Sequence, residues 1–67
     1  MEQFRTVYSE HTCLWYIEDS AHRKVRIKNP TTGVDTGVNK SYVLQRTAQA
    51  MCDRLNKGEK PRTVAIP

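Results

Sequence analysis

The sequence predicts a small α+β domain in which a three-stranded antiparallel sheet is covered on one face by a single C-terminal amphipathic helix. Two patterns carry that expectation. Residues 4–28 hold three short runs of β-favouring side chains separated by polar stretches. From residue 44 onward the period changes: Leu44, Ala48, Met51, Cys52 and Leu55 recur at the spacing of one helical stripe. The length of 67 residues restricts both patterns to one core. A chain this short buries only about 60% of its unfolded surface.

The first strand is expected over residues 4–8, where Phe4, Thr6 and Tyr8 alternate with Arg5 and Val7. Ser9-Glu10-His11-Thr12 supplies a turn. The second strand, residues 13–18, places Cys13, Trp15 and Ile17 on one face and Leu14, Tyr16 and Glu18 on the other. Apolar side chains on both faces mark it as central. After the loop Asp19-Ser20-Ala21-His22, residues 24–28 alternate most sharply of all. Val25 and Ile27 are assigned to the core, and Lys24, Arg26 and Lys28 to the opposite face.

Asn29-Pro30-Thr31-Thr32-Gly33 has turn chemistry. Residues 34–40 hold a second turn signal at Asp35-Thr36-Gly37, leaving either a long loop or a short fourth strand. Asn39 is the expected helix N-cap, with Val38 and Val43 spaced as a hydrophobic staple and Ser41 as an alternative start. Gly58, with Pro61 beyond it, marks the helix stop. Residues 1–57 thus form the domain. Residues 58–67 form a tail with the β-prone piece Arg62-Thr63-Val64-Ala65-Ile66, which would fold back as an edge strand, stay mobile, or join a partner's sheet.

Composition narrows the function classes. No apolar run approaches the roughly 18–20 residues that span a bilayer, and Glu2 and Arg5 interrupt anything resembling a signal peptide, so a cytoplasmic protein without membrane contact is expected. Cys13 and Cys52 are the only cysteines and form no Cys-x-x-Cys pair, which points to reduced thiols rather than a disulfide framework. His11, Cys13, His22 and Cys52 lack the paired spacing of a structural zinc site, so neither a metal nor another cofactor is expected. Glu18 and Asp19 are neighbours on a strand and diverge, which does not suit paired-acid catalysis, and a core of this size offers little concavity. An enzyme is not expected.

The sharpest functional signal is charge. The net charge is +4, yet residues 1–21 carry four acids against Arg5, and His22-Arg23-Lys24-Val25-Arg26-Ile27-Lys28 then supplies four cations in seven residues. Arg23, Lys24, Arg26 and Lys28, with Tyr16 among them as a stacking aromatic, make the expected nucleic-acid surface. A solvated face kept charged for solubility is the plainer alternative. A second class of binding uses Leu14, Tyr16, Val64 and Ile66 against a protein partner or a second copy, because the second strand is apolar on more sides than one helix covers.

Three strands followed by a packing helix, with Tyr16, Lys24, Arg26 and Lys28 on the sheet, resemble the arm-type DNA-binding domains of tyrosine recombinases over about residues 4–57. The likeness is one of topology and charge, and it implies insertion of the sheet into a DNA groove. The run Trp15-Tyr16-Ile17-Glu18-Asp19 ahead of the helix Ala48-Gln49-Ala50-Met51-Cys52-Asp53-Arg54-Leu55-Asn56 resembles short phage and prophage accessory proteins. That class implies regulation by binding a protein or nucleic acid, some of its members inhibiting host defences.

Overall fold

In the computed structural model, which describes residues 3–67, the elements run β1 (Phe4–Ser9), β2 (Leu14–Asp19), β3 (Arg26–Lys28), β4 (Asp35–Asn39), α1 (Gln45–Asn56) and β5 (Val64–Ala65). The chain is α+β, with one helix among the described residues. The strands divide into a two-stranded sheet, β1-β2, and a three-stranded sheet ordered β4-β3-β5, all pairs antiparallel.

The division falls at Val25, which the alternation pattern places inside a continuous third strand. Its amide donates to Ile17 O at 2.8 Å and its carbonyl accepts from Lys40 N at 2.9 Å, so Val25 links β2 to the far sheet. The residue is fully buried at this corner. Lys24 forms a single bridge to Glu18, and regular pairing with β4 and β5 begins only at Arg26. β2, expected to be central, pairs with one strand only: β1 takes one edge, and isolated bridges to Lys24 and Tyr42 lie on the other.

Cys13 departs from expectation. Alternation puts it on the core face of β2, but it is exposed, with φ +59°, as the last residue of the turn that closes β1 onto β2. Its amide donates to Ser9 O at 2.8 Å. A turn of this length needs one residue in left-handed backbone before the second strand, and no glycine or asparagine is available there. The turn at residues 29–33 has a glycine for that role. Gly33 lies at φ +74° and donates to Asn29 O, while Asn29 Oδ1 accepts from Thr31 N and Thr32 N.

The helix starts later than the capping pattern predicts. Asn39 belongs to β4 opposite Arg26, and Leu44 holds the cap position in extended backbone with no side-chain cap. Two reciprocal backbone bonds of 2.8 Å between Trp15 and Tyr42 keep the chain extended that far. Val38 and Val43, expected as a staple, are both exposed, and Leu44 is 47% exposed. The buried stripe is therefore Ala48, Cys52 and Leu55, with Met51 beside it. It packs on β1 and β2 and joins Phe4, Ile17, Val25, Tyr42 and Val64 in one core.

The stop at Gly58 is built as expected. Gly58 has φ +87° and donates to Leu55 O, and Glu59 N donates to Arg54 O, the pair of bonds that closes a helix with a left-handed glycine. The chain then returns. Pro61 is buried, Val64 is 2% exposed, and β5 adds to the edge of β3.

Candidate nucleic-acid interface

β2 ends in two carboxylates that are both buried, Glu18 and Asp19. Because the β2–β3 connection is short, it brings residues 23 and 24 back beside them. Lys24 Nζ lies 3.2 Å from Glu18 Oε2, and Arg5 Nη2 and His22 Nδ1 lie 3.6 and 3.5 Å from Oε1. Arg5 also hydrogen-bonds His22. Burial alone would push the Glu18 carboxyl up, but Lys24 and then His22 outweigh it and hold it below the ordinary carboxylate range.

Asp19 organises the loop that follows. Its Oδ1 accepts from the amides of Ala21 and Arg23 at 2.9 Å each, and its Oδ2 accepts from Arg23 Nε at 3.0 Å. The Arg23 amide is the largest cause of a lowered Asp19 pKa; burial opposes it, and the Ala21 amide and the Arg23 charge add to it. The loop passes through His22 at φ +63°.

Arg26 is also engaged. Its Nε and Nη2 both reach Asp35 Oδ2 at 2.7 Å, across the β3–β4 pairing. The Gly37 amide first, and the Arg26 guanidinium second, lower the Asp35 pKa against the opposing effect of burial. The sequence-predicted cation row is thus mostly matched internally: Arg23 by Asp19, Lys24 by Glu18, Arg26 by Asp35. Lys28 is the member with no ion pair among the described residues.

Tyr16 sits on the same face as Lys24, whose Nζ lies 5.8 Å from its ring centroid, and its hydroxyl meets Thr12 Oγ1 at 3.1 Å. Val7, Tyr8, Ser9, Tyr16, Glu18 and Lys24 line an open depression of about 250 Å³ here. Tyr16 is half-buried with both ends of its side chain in contact.

The four residues expected to meet a protein partner are not brought together. Val64 is a core residue. Ile66 is 42% exposed and lines a depression with Phe4, Asp19 and Arg23 at the end of β2. Leu14 and Tyr16 are half-buried on β2, Leu14 at its other end. A six-residue strand separates its ends by roughly 17 Å. Among the described residues no group of three or more His, Cys, Asp or Glu side chains is placed to hold a metal. No helix there is long and apolar enough to cross a membrane.

Sequence reasoning missed where the surplus charge lies. Of eleven Lys and Arg, five contact a carboxylate among the described residues: Arg5, Arg23, Lys24, Arg26 and Arg54, the last with Glu59 at 3.1 Å. The other six are Lys28, Lys40, Arg46, Lys57, Lys60 and Arg62. Lys57, Lys60 and Arg62 lie in the α1–β5 connection, all exposed. Lys28 ends β3, its amide donating to Thr63 O at 3.0 Å, next in sequence to Arg62. Lys40 instead covers the Tyr42 ring, 5.2 Å from its centroid. The amino-acid order does carry a signal for this. A short connection between antiparallel strands sets Glu18 opposite Lys24, which discounts Lys24 but not Arg26 or Lys28.

No protein-family model, curated protein or solved structure matches this chain.

Proposed function

We propose that this is a small non-catalytic binding protein whose partner is nucleic acid, contacted through cations that the fold leaves unmatched. One observation carries the reading. Lys28 at the end of β3 and Lys57, Lys60 and Arg62 in the connection that leads into β5 have no carboxylate partners among the described residues, while Arg23, Lys24 and Arg26 face acids of their own. Unneutralised cations displace counterions from a phosphate backbone; a cation already held by a buried carboxylate must first give up that partner. Binding rather than chemistry also fits three concavities of the surface, open depressions of about 200 to 250 Å³.

The test is titration of labelled nucleic acid at several salt concentrations. Affinity should fall steeply as salt rises, and Lys60→Glu with Arg62→Glu should weaken it more than Arg26→Glu. Absence of salt-sensitive binding at low ionic strength would rule the reading out.

A protein partner is the second reading, and a different surface favours it from the one the sequence indicated. Val34, Val38, Val43 and Leu44 are four of the six large apolar residues exposed among the described residues; Val34 and Val38 lie just before and within β4, and Val43 and Leu44 in the chain that leads into α1. Light scattering tests whether this surface pairs two copies: a monomer at high concentration would exclude that form of it.

A further inference from the structure

The α1–β5 connection is fixed along its length. The Gly58 closure with its two backbone bonds holds its start, buried Pro61 holds its middle, and the pairing of Val64 and Ala65 with β3 holds its end. Exposed Lys57, Lys60 and Arg62 therefore project from an ordered backbone, and Lys28 joins them through the bond from its amide to Thr63 O. The one acid of the segment, Glu59, is occupied by Arg54. A partner meets positive charge whose backbone is already in place, so little ordering opposes contact.

The aromatic residues lie elsewhere. Phe4 and Tyr42 are buried in the core; Tyr8 packs against Trp15 with ring centroids 5.1 Å apart; Tyr16 is held by Thr12 and Lys24. All five belong to β1, β2 or the chain just before α1, and the segment from Lys57 to Arg62 has none. Recognition of single strands draws on bases stacked against aromatic side chains beside the cations. A ridge of charge alone gains most from the polyanion with the densest charge. Duplex DNA presents about one charge per 1.7 Å of helix axis. Duplex RNA is recognised mostly by its shape and through 2′-hydroxyls across the minor groove, a different set of contacts from charge alone.

We infer, resting on the nucleic-acid reading above, that Lys28, Lys57, Lys60 and Arg62 form a ridge that grips the phosphate backbone of double-stranded DNA without reading its bases. The experiment compares the full chain on labelled DNA duplexes of unrelated sequence and on their separated strands, across a salt series. The expected result is equal affinity for the duplexes and weaker binding of single strands. The plot of log affinity against log salt should have a slope of about −3 to −4 for four phosphate contacts. Lys60→Gln with Arg62→Gln should flatten that slope by about 2, with an unchanged melting temperature showing that the fold is intact.

Tighter binding of single strands or of an RNA duplex of the same length, strong preference for one duplex sequence, or an unaltered slope in the Gln variant would overturn the inference while leaving a nucleic-acid partner in place. No salt-sensitive binding to either form would overturn both.

Discussion

The side chain of Asn56 behaves as a strand mate for Phe4. Asn56 Oδ1 accepts from Phe4 N at 2.8 Å and from Gln3 N at 3.0 Å, and Asn56 Nδ2 donates to Phe4 O at 3.0 Å. The last residue of α1 thereby ties the helix to the start of β1 while Phe4 fills the core below. Asn56→Ala would leave the Phe4 amide and carbonyl without these partners in a half-buried place. The expected cost is about 1–3 kcal/mol, read as a lower urea midpoint at unchanged slope. In a domain of this size that corresponds to a melting temperature lower by very roughly 4–20 °C. Asn56→Asp should also destabilise, because a carboxylate has no donor for Phe4 O.

Acid should weaken the fold through three carboxylates at strand ends. Glu18, Asp19 and Asp35 all have pKa values lowered in the folded chain. Each therefore binds its proton less readily when folded than when unfolded. The stability from ionisation is fully present above the unfolded values near 4, and is lost as pH falls through the lower folded ones. Urea midpoints at pH 7 and pH 3 measure that loss. Asp19→Asn keeps an oxygen for the Ala21 and Arg23 amides but not the charge opposite Arg23. Its midpoint should fall less between the two pH values than that of the parent chain. An equal fall would assign the acid sensitivity to other groups.

The elements are legible in the sequence because alternation and helical spacing are local. The strand cores at Phe4–Tyr8 and Trp15–Ile17, the helical stripe at Ala48, Cys52 and Leu55, and the stop at Gly58 all depend on neighbours a few residues away. The misplaced features depend on distant partners. Nothing near Asn39 reveals that Tyr42 is pinned to Trp15, and so nothing reveals that the helix must wait until Gln45. The break at Val25 is set by contacts to Ile17 and Lys40. For the basic run, sign and period are local properties, but the acids opposite are supplied by other strands and turns, and these decide which cations are available. Asn56 carries no signal, since an asparagine near a helix end usually serves the helix itself.

The segment after Gly58 should be indispensable to the fold. Val64 sits in the core with Leu55 and Val25, and Val64 and Ala65 pair with β3, whose opposite edge is taken by β4. A chain ending at residue 60 would uncover Val25 and Ile27 and remove the backbone partners of Arg26 and Ile27. Burial of one such side chain is worth roughly 1.5–3 kcal/mol, a large share of the stability of a small domain. The truncated chain should therefore lose its cooperative unfolding transition and its amide protection across β3. A sharp transition in the shortened chain would show instead that β1, β2 and α1 fold without it.

Cys13 gives the most local prediction, because its cost lies in the backbone. It adopts φ +59° at the close of the β1–β2 turn, a conformation that disfavours residues with a Cβ by about 1–2 kcal/mol. Its thiol lies 3.7 Å from Glu10 O and interacts with the Tyr8 hydroxyl, raising the pKa of that tyrosine. Such contacts at an exposed turn return little of the backbone cost. Glycine removes the Cβ clash but loosens the unfolded chain, which offsets part of the gain. Cys13→Gly should thus stabilise the domain by a few tenths to about 1 kcal/mol, and Asn, which tolerates this backbone, should come close to it. A thiol-reactive probe supplies the control: in the folded parent chain Cys13 should react at once and Cys52, 1% exposed, only on unfolding. A destabilised Cys13→Gly would mean that the contacts with Tyr8 and Glu10 outweigh the backbone strain.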